Sequence, residues 1–136
     1  MVGARRRIRA VVLKALYEVD STGHDADEVL SRLIAEETFS EENVSFAGEL
    51  VHGVIQNKEE IDRNIRLFAT TWPLEQIPLV DRNILRLAIF EILLDNRVNV
   101  KVAINEAVEL AKMFGSDSSS RFVNGVLGSV STLING

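Results

Sequence analysis

The sequence has no cysteine, which excludes disulfides, thiolate chemistry and cysteine-bound zinc. Two prolines and eight glycines in 136 residues, with 46% hydrophobic residues, are too few for a disordered or low-complexity chain. No apolar run approaches the length of a membrane span, and the start MVGARRRIR lacks the apolar core and cleavage site of a secretory signal. No segment alternates apolar and polar residues with the period of two that a half-buried strand requires. The two histidines, His24 and His52, are far apart, and neither sits in a spacing for zinc or for a nucleophile–base pair. Neither G-x-x-x-x-G-K-[ST] nor G-x-G-x-x-G after a strand is present, so no nucleotide cofactor is expected. Glu106, beside an apolar helical face, reads as a carboxylate bonded to a neighbouring helix end or amide. These absences predict a non-enzymatic, cytoplasmic, all-helical chain of one domain over residues 1–136, with no metal and no cofactor.

Acidic residues are also missing from the first sixteen positions, where Arg5, Arg6, Arg7, Arg9 and Lys14 sum to +5. The net charge is −5, so the rest of the chain carries −10. Such asymmetry marks the N-terminus as a surface for an anion, although a purely solubilising basic terminus has the same composition. The surrounding periodicity predicts a helix from about Ala4 to Ser21 with Ile8, Val12, Ala15, Leu16 and Val19 inward. At 100° per residue, Arg6 and Tyr17 share an azimuth away from that stripe, Arg5 and Arg9 border it, and Arg7 and Lys14 share a third line. A cationic helix with an outward tyrosine can hold phosphates and stack a base, or can contact a partner protein.

Gly23 should end this helix, and Asp25 through Glu28 has the spacing of a capping box for a second, ending near Glu37. A third helix carries Val44, Ala47, Val51 and Val54, with Gly48 and Gly53 read as close helix approaches. Asn57 should cap a fourth, ended by Trp72-Pro73. The fifth, from Pro78 to about Leu94, is apolar almost all round and should be the central one. Asp81, Arg82 and Asn83 are its polar exception, and the helix dipole alone is enough to favour Asp81 there. The Trp72-Pro73 break predicts an N-terminal part at about 1–71 and a C-terminal part at about 72–136.

The stretch KVAINEAVELAKMFGSDSSSRFVNGVL (101–127) reads as two more helices around a polar turn, making about seven. Gly115 occupies the place of a positive-φ terminator and Asp117 that of an N-cap, after which Phe122, Val123, Val126, Leu127 and Val130 restart the helical period, with fraying by Leu133. The turn would aim backbone N–H groups outward at a helix start, a geometry that suits a phosphate and equally describes an ordinary connection.

ARRRIR with Ala15-Leu16-Tyr17, VDRNILRLAIFEI (80–92) and the stretch 101–127 together resemble the bacterial transcription antitermination factor family NusB, over nearly the full length and weakly from Gly23 to Thr71. The resemblance implies two packed helical subdomains, and a complex with NusE, a ribosomal protein of the small subunit, on the boxA element of nascent RNA. It further implies joint action with NusA and NusG on RNA polymerase in ribosomal RNA operons. By position, Arg5, Arg6, Arg7 and Arg9 match an arginine-rich RNA-contacting segment, and Tyr17 a tyrosine near RNA and partner. Gly115, Ser116, Asp117, Ser118 and Phe122 match a second RNA-contacting element, and Asp81, with Arg82, an acidic NusE-facing position. Family members often carry two acids before the serine that is Ser119 here, whereas this chain has Asp117 then Ser118; the missing charge implies unchanged or stronger RNA binding. Alternatives are an RNA-binding module of the kind attached to ribosomal RNA cytosine methyltransferases, disfavoured by the lack of room before Gly136, and a helical adaptor or homodimer.

Overall fold

Gly23 and Asp25 punctuate the chain as their chemistry requires. In the computed structural model, which describes residues 3–135, helix α1 spans Ala4–Thr22 and ends at Gly23 with φ 77°, a left-handed conformation that favours glycine. Helix α2, Ala26–Ile34, starts at Asp25, whose carboxylate accepts the Glu28 N–H at 3.1 Å. Helix α3 is Glu41–Gln56. These three form one compact unit, residues 1–56, in which α1 packs on both α2 and α3. Its buried residues include Ile8, Val12, Ala15 and Leu16 from α1, Val29 and Leu30 from α2, and Phe46, Leu50 and Val54 from α3. Glu18 of α1 bonds His24 and also Arg32 of α2, and these contacts lower its carboxyl from the ordinary value. Gly48 does not mark a close approach, because a Cβ there would meet nothing within 4 Å.

The second unit covers residues 57–136. It contains α4 (Lys58–Phe68), a 3₁₀ turn (Leu74–Gln76), α5 (Leu79–Ile89), a π-helical turn (Phe90–Asp95), α6 (Val100–Phe114), α7 (Ser119–Val130) and the short α8 (Thr132–Asn135). The boundary between units therefore falls after Gln56 and not near residue 71. The reason is α4, which buries Ile61 and Ile65 and sends Asp62 into a bidentate ion pair with Arg86 of α5, at 2.8 and 3.0 Å. Trp72-Pro73 does interrupt the helices, but inside this unit.

Helix α5 is central to the second unit. It packs on α4, α6 and α7, and every residue from Asn83 to Ile92 is buried. The expected helix to Leu94 changes character at Phe90: the chain widens into the π-turn, and Asn96, at φ 57°, closes it by donating its N–H to the Glu91 carbonyl at 3.1 Å. Asn99 then accepts the Lys101 N–H at 2.8 Å and starts α6. Among the described residues there is no strand, no acidic or histidine cluster suited to a metal, and no helix long and apolar enough to cross a membrane.

Candidate nucleic-acid interface

The four arginines at the start of α1 occupy different environments. Arg5 stacks over the Phe46 ring at 3.8 Å and reaches Glu42 at 3.5 Å. Its Nη1 is buried without a hydrogen-bond acceptor, so the electron-rich ring face is what favours the cation there. Arg9 lies 5.3 Å from the same ring and is only 4% exposed. Arg7 donates from Nε to Glu37 at 3.0 Å and sits 5.6 Å from the Phe39 ring. Arg6 is half-buried, and Tyr17, on the same azimuth, is 40% exposed. The arrangement thus splits a uniform-looking basic run. Arg9 is part of the packing around Phe46, whereas Arg5 and Arg7 hold carboxylates at the surface. Exposed ion pairs of this kind contribute at most about 1 kcal/mol, so a phosphate with better bidentate geometry can displace the carboxylate.

The second predicted element, the turn between α6 and α7, is built differently from the sequence expectation. Gly115 is extended, with φ −93° and ψ −171°, not left-handed. Glycine is needed there for space: a Cβ would lie 2.4 Å from the Ser119 Oγ, 2.5 Å from its Cβ and 2.8 Å from the Ala111 carbonyl. The residue preceding α7 is Ser118, not Asp117, and no side chain caps the helix. The bond runs the other way, because Ser119, the first helical residue, accepts the Ser116 N–H on its Oγ at 2.9 Å. Ser116, Asp117 and Ser118 are exposed, and Phe122 is half-buried. The Ser119 N–H donates to the Ser116 carbonyl at 3.1 Å; the first-turn N–H groups that follow it precede any intrahelical partner, which suits an acceptor arriving from outside.

Ser119 itself is 1% exposed, and its hydroxyl donates to the Asp81 Oδ1 at 2.7 Å. Asp81, expected on a partner-facing surface, is turned inward and 5% exposed. Burial pushes its carboxyl above the ordinary value, and the Ser119 hydrogen bond opposes part of that rise. Arg82, next along α5, is half-buried and reaches the Leu74 carbonyl at 3.3 Å.

The NusB family profile matches residues 6–132. The chain is 58% identical to the transcription antitermination protein NusB of Dehalococcoides mccartyi strain CBDB1, an alignment covering 96% of this chain and 92% of that one. This chain belongs to the NusB family. It is 51% identical to the NusB of Herpetosiphon aurantiacus, over 93% of this chain and 88% of that protein. Among solved structures, T. maritima NusB superposes with a TM-score of 0.89 at 34% identity, covering 97% of this chain and 93% of that one. A crystal structure of antitermination factors NusB and NusE in complex with double-stranded RNA contains a chain that matches with a TM-score of 0.87 at 25% identity, over 98% and 99%.

Several residues that shape the two elements were not singled out in the sequence. Phe46 and Phe39 organise the arginines, and Glu42 and Glu37 occupy them. No local spacing reveals such contacts, because each joins α1 to a residue at least 30 positions away. Ser119 was legible in principle. It precedes Val123, Val126 and Val130 at helical spacing, and a serine in such a column signals a buried hydroxyl with a specific acceptor.

Proposed function

We propose that this chain is a non-enzymatic, cytoplasmic RNA-binding transcription antitermination factor. In this reading it acts with NusE on boxA RNA of nascent transcripts, notably those of ribosomal RNA operons, within an assembly that includes NusA, NusG and RNA polymerase. The observation that carries the reading is the surface run Arg5, Arg6 and Arg7 on α1, in a chain that matches over 98% of its length a NusB captured with NusE and RNA. Arg5, Arg6 and Arg7 supply phosphate contacts, and Tyr17 offers a ring to a base or to the partner. Ser116 to Ser118 and Phe122 supply a second contact, through the backbone N–H groups of Asp117 and Ser118 and an aromatic edge, the Ser116 N–H being donated to Ser119. Arg82, half-buried beside Asp81, is the position offered to a protein partner, whereas Asp81 serves from within.

The test is binding of the purified chain to a boxA-containing single strand, a scrambled single strand and a duplex, each with and without NusE. Preference for boxA that is strengthened by NusE supports the proposal. Equal, salt-sensitive binding to every RNA reduces it to general polyanion affinity, and binding of NusE without any RNA leaves a protein adaptor.

A further inference from the structure

A hydroxyl group has one proton to give and two lone pairs to receive with. Ser119 gives its proton to Asp81, at 2.7 Å, and this fixes the direction of its lone pairs. One lone pair takes the Ser116 N–H at 2.9 Å, and the Ser116 hydroxyl lies 3.2 Å away, within reach of the other. The Ser119 N–H in turn donates to the Ser116 carbonyl at 3.1 Å, so the two residues are tied twice. Gly115 closes the third side, since a Cβ there would lie 2.4 Å from the Ser119 Oγ and 2.5 Å from its Cβ. Asp81 and Ser119 are buried and Gly115 is half-buried, while Ser116, Asp117 and Ser118 above them are exposed.

From this geometry we propose that Asp81 and Ser119 are positioning residues: together they lock the 115–118 turn in the shape that offers its backbone to RNA. Neither residue touches RNA. Asp81 acts through Ser119, and Ser119 acts through the Ser116 N–H. The inference rests on the RNA-binding reading above and adds to it a cause for the turn's shape. It also gives the acidic residue at the start of α5 a duty that needs no exposure. The carboxylate could be replaced by any acceptor of the same size, because only its acceptance of the Ser119 proton is used. That property separates positioning from charge.

The experiment compares the full chain with Ser119→Ala, Asp81→Ala, Asp81→Asn and Gly115→Ala. Two readings are taken: hydrogen exchange at the Ser116 amide without RNA, and affinity for a boxA single strand across a salt series. Thermal melts confirm that each variant is folded, and Gly115→Ala probes the same lock sterically if either alanine variant at 81 or 119 does not fold. The expected result is faster Ser116 exchange in Ser119→Ala, Asp81→Ala and Gly115→Ala, with affinity about tenfold lower, the scale of one lost hydrogen bond. The salt slope should stay unchanged, because no cationic contact is removed. Asp81→Asn, which still accepts from Ser119, should stay within about twofold of the parent in both readings. Unchanged Ser116 exchange in the folded variants overturns the lock, whatever happens to RNA. Faster exchange with undiminished RNA affinity overturns its role in RNA binding while leaving the proposed function intact. Absence of RNA binding by the parent chain removes the proposed function, and the RNA role of the lock with it.

Discussion

Arg7 and Arg9 belong to one basic run but to different lines of α1, and the structure predicts opposite consequences for their removal. Of the five cations near the start of α1, Arg9 is buried against Phe46, which leaves Arg5, Arg6, Arg7 and Lys14 able to meet phosphates. Four contacts to a single strand give a log–log salt slope of roughly −3, or about a 50-fold loss of affinity between about 50 and 200 mM salt. Arg6→Ala combined with Arg7→Ala should halve the slope to about −1.4 and shrink that loss to about sevenfold. Stability should change by less than about 1 kcal/mol, because the Arg7–Glu37 pair is solvent-exposed. Arg9→Ala should do the reverse, lowering stability by about 1–3 kcal/mol through lost packing and cation–π attraction while leaving the slope unchanged. Filter binding at four salt concentrations, paired with urea unfolding followed by circular dichroism, measures both quantities. A double variant that binds like the parent at every salt concentration would refute the assignment of the arginine surface. An Arg9→Ala slope as flat as that of Arg7→Ala would refute the division of labour.

Other perturbations follow from the same contacts. Glu37→Gln with Glu42→Gln frees Arg7 and Arg5 of their carboxylates, so RNA affinity should rise by up to about fivefold at low salt and the gain should fade at high salt, as read by the same filter assay. Arg86→Met strands the Asp62 carboxylate in the core of the second unit and should cost about 3–5 kcal/mol in urea unfolding, most of it recovered by adding Asp62→Leu. Asp81 has a folded-state pKa above its unfolded value, so the native state holds this proton more tightly: its contribution to stability is present below the ordinary carboxylate range and is lost as pH rises through the raised value. Asp81→Asn should therefore gain stability relative to the parent on going from pH 4 to pH 7, and a parallel pair of stability–pH curves would contradict the shift. Ser118→Glu places a second acid beside Asp117 and should weaken RNA binding or leave it unchanged; tighter binding would mean that the turn does not meet phosphate.

Much of the fold was legible because local chemistry agrees with tertiary need. Gly23 ends α1 in the left-handed conformation, Asp25 caps α2 with its own carboxylate, and Trp72-Pro73 separates α4 from α5. The near-continuous apolar surface of α5 identified the central helix of its unit before any partner was known. Three features were not legible, each for a physical reason. The unit boundary depends on Asp62 finding Arg86, a pairing between residues 24 apart that no periodicity encodes. The π-turn at Phe90–Asp95 depends on Asn96 adopting positive φ, which asparagine tolerates without requiring. The burial of Arg9 depends on Phe46 presenting a ring across the unit.

The turn after α6 shows how a correct residue can be chosen for the wrong reason. Glycine at position 115 and an acid or serine near 117 form a common terminator-and-cap pattern, and that pattern predicted positive φ and an Asp117 cap. The observed turn satisfies neither rule. Gly115 is extended and is selected by a side chain that would collide with any Cβ, so its cause lies in Ser119 and, behind it, in Asp81 on another helix. Propensity rules describe what a residue does to its neighbours in sequence; here the decisive neighbour is 38 positions away. The distinction has a measurable consequence. A residue that tolerates positive φ, such as asparagine, would be accepted at 115 if glycine were serving as a left-handed terminator. If it is serving as a gap, every side chain larger than hydrogen is excluded alike, and a simultaneous Ser119→Gly change should restore tolerance to alanine at 115 only in part, because the Ala111 carbonyl would still lie 2.8 Å from the new Cβ.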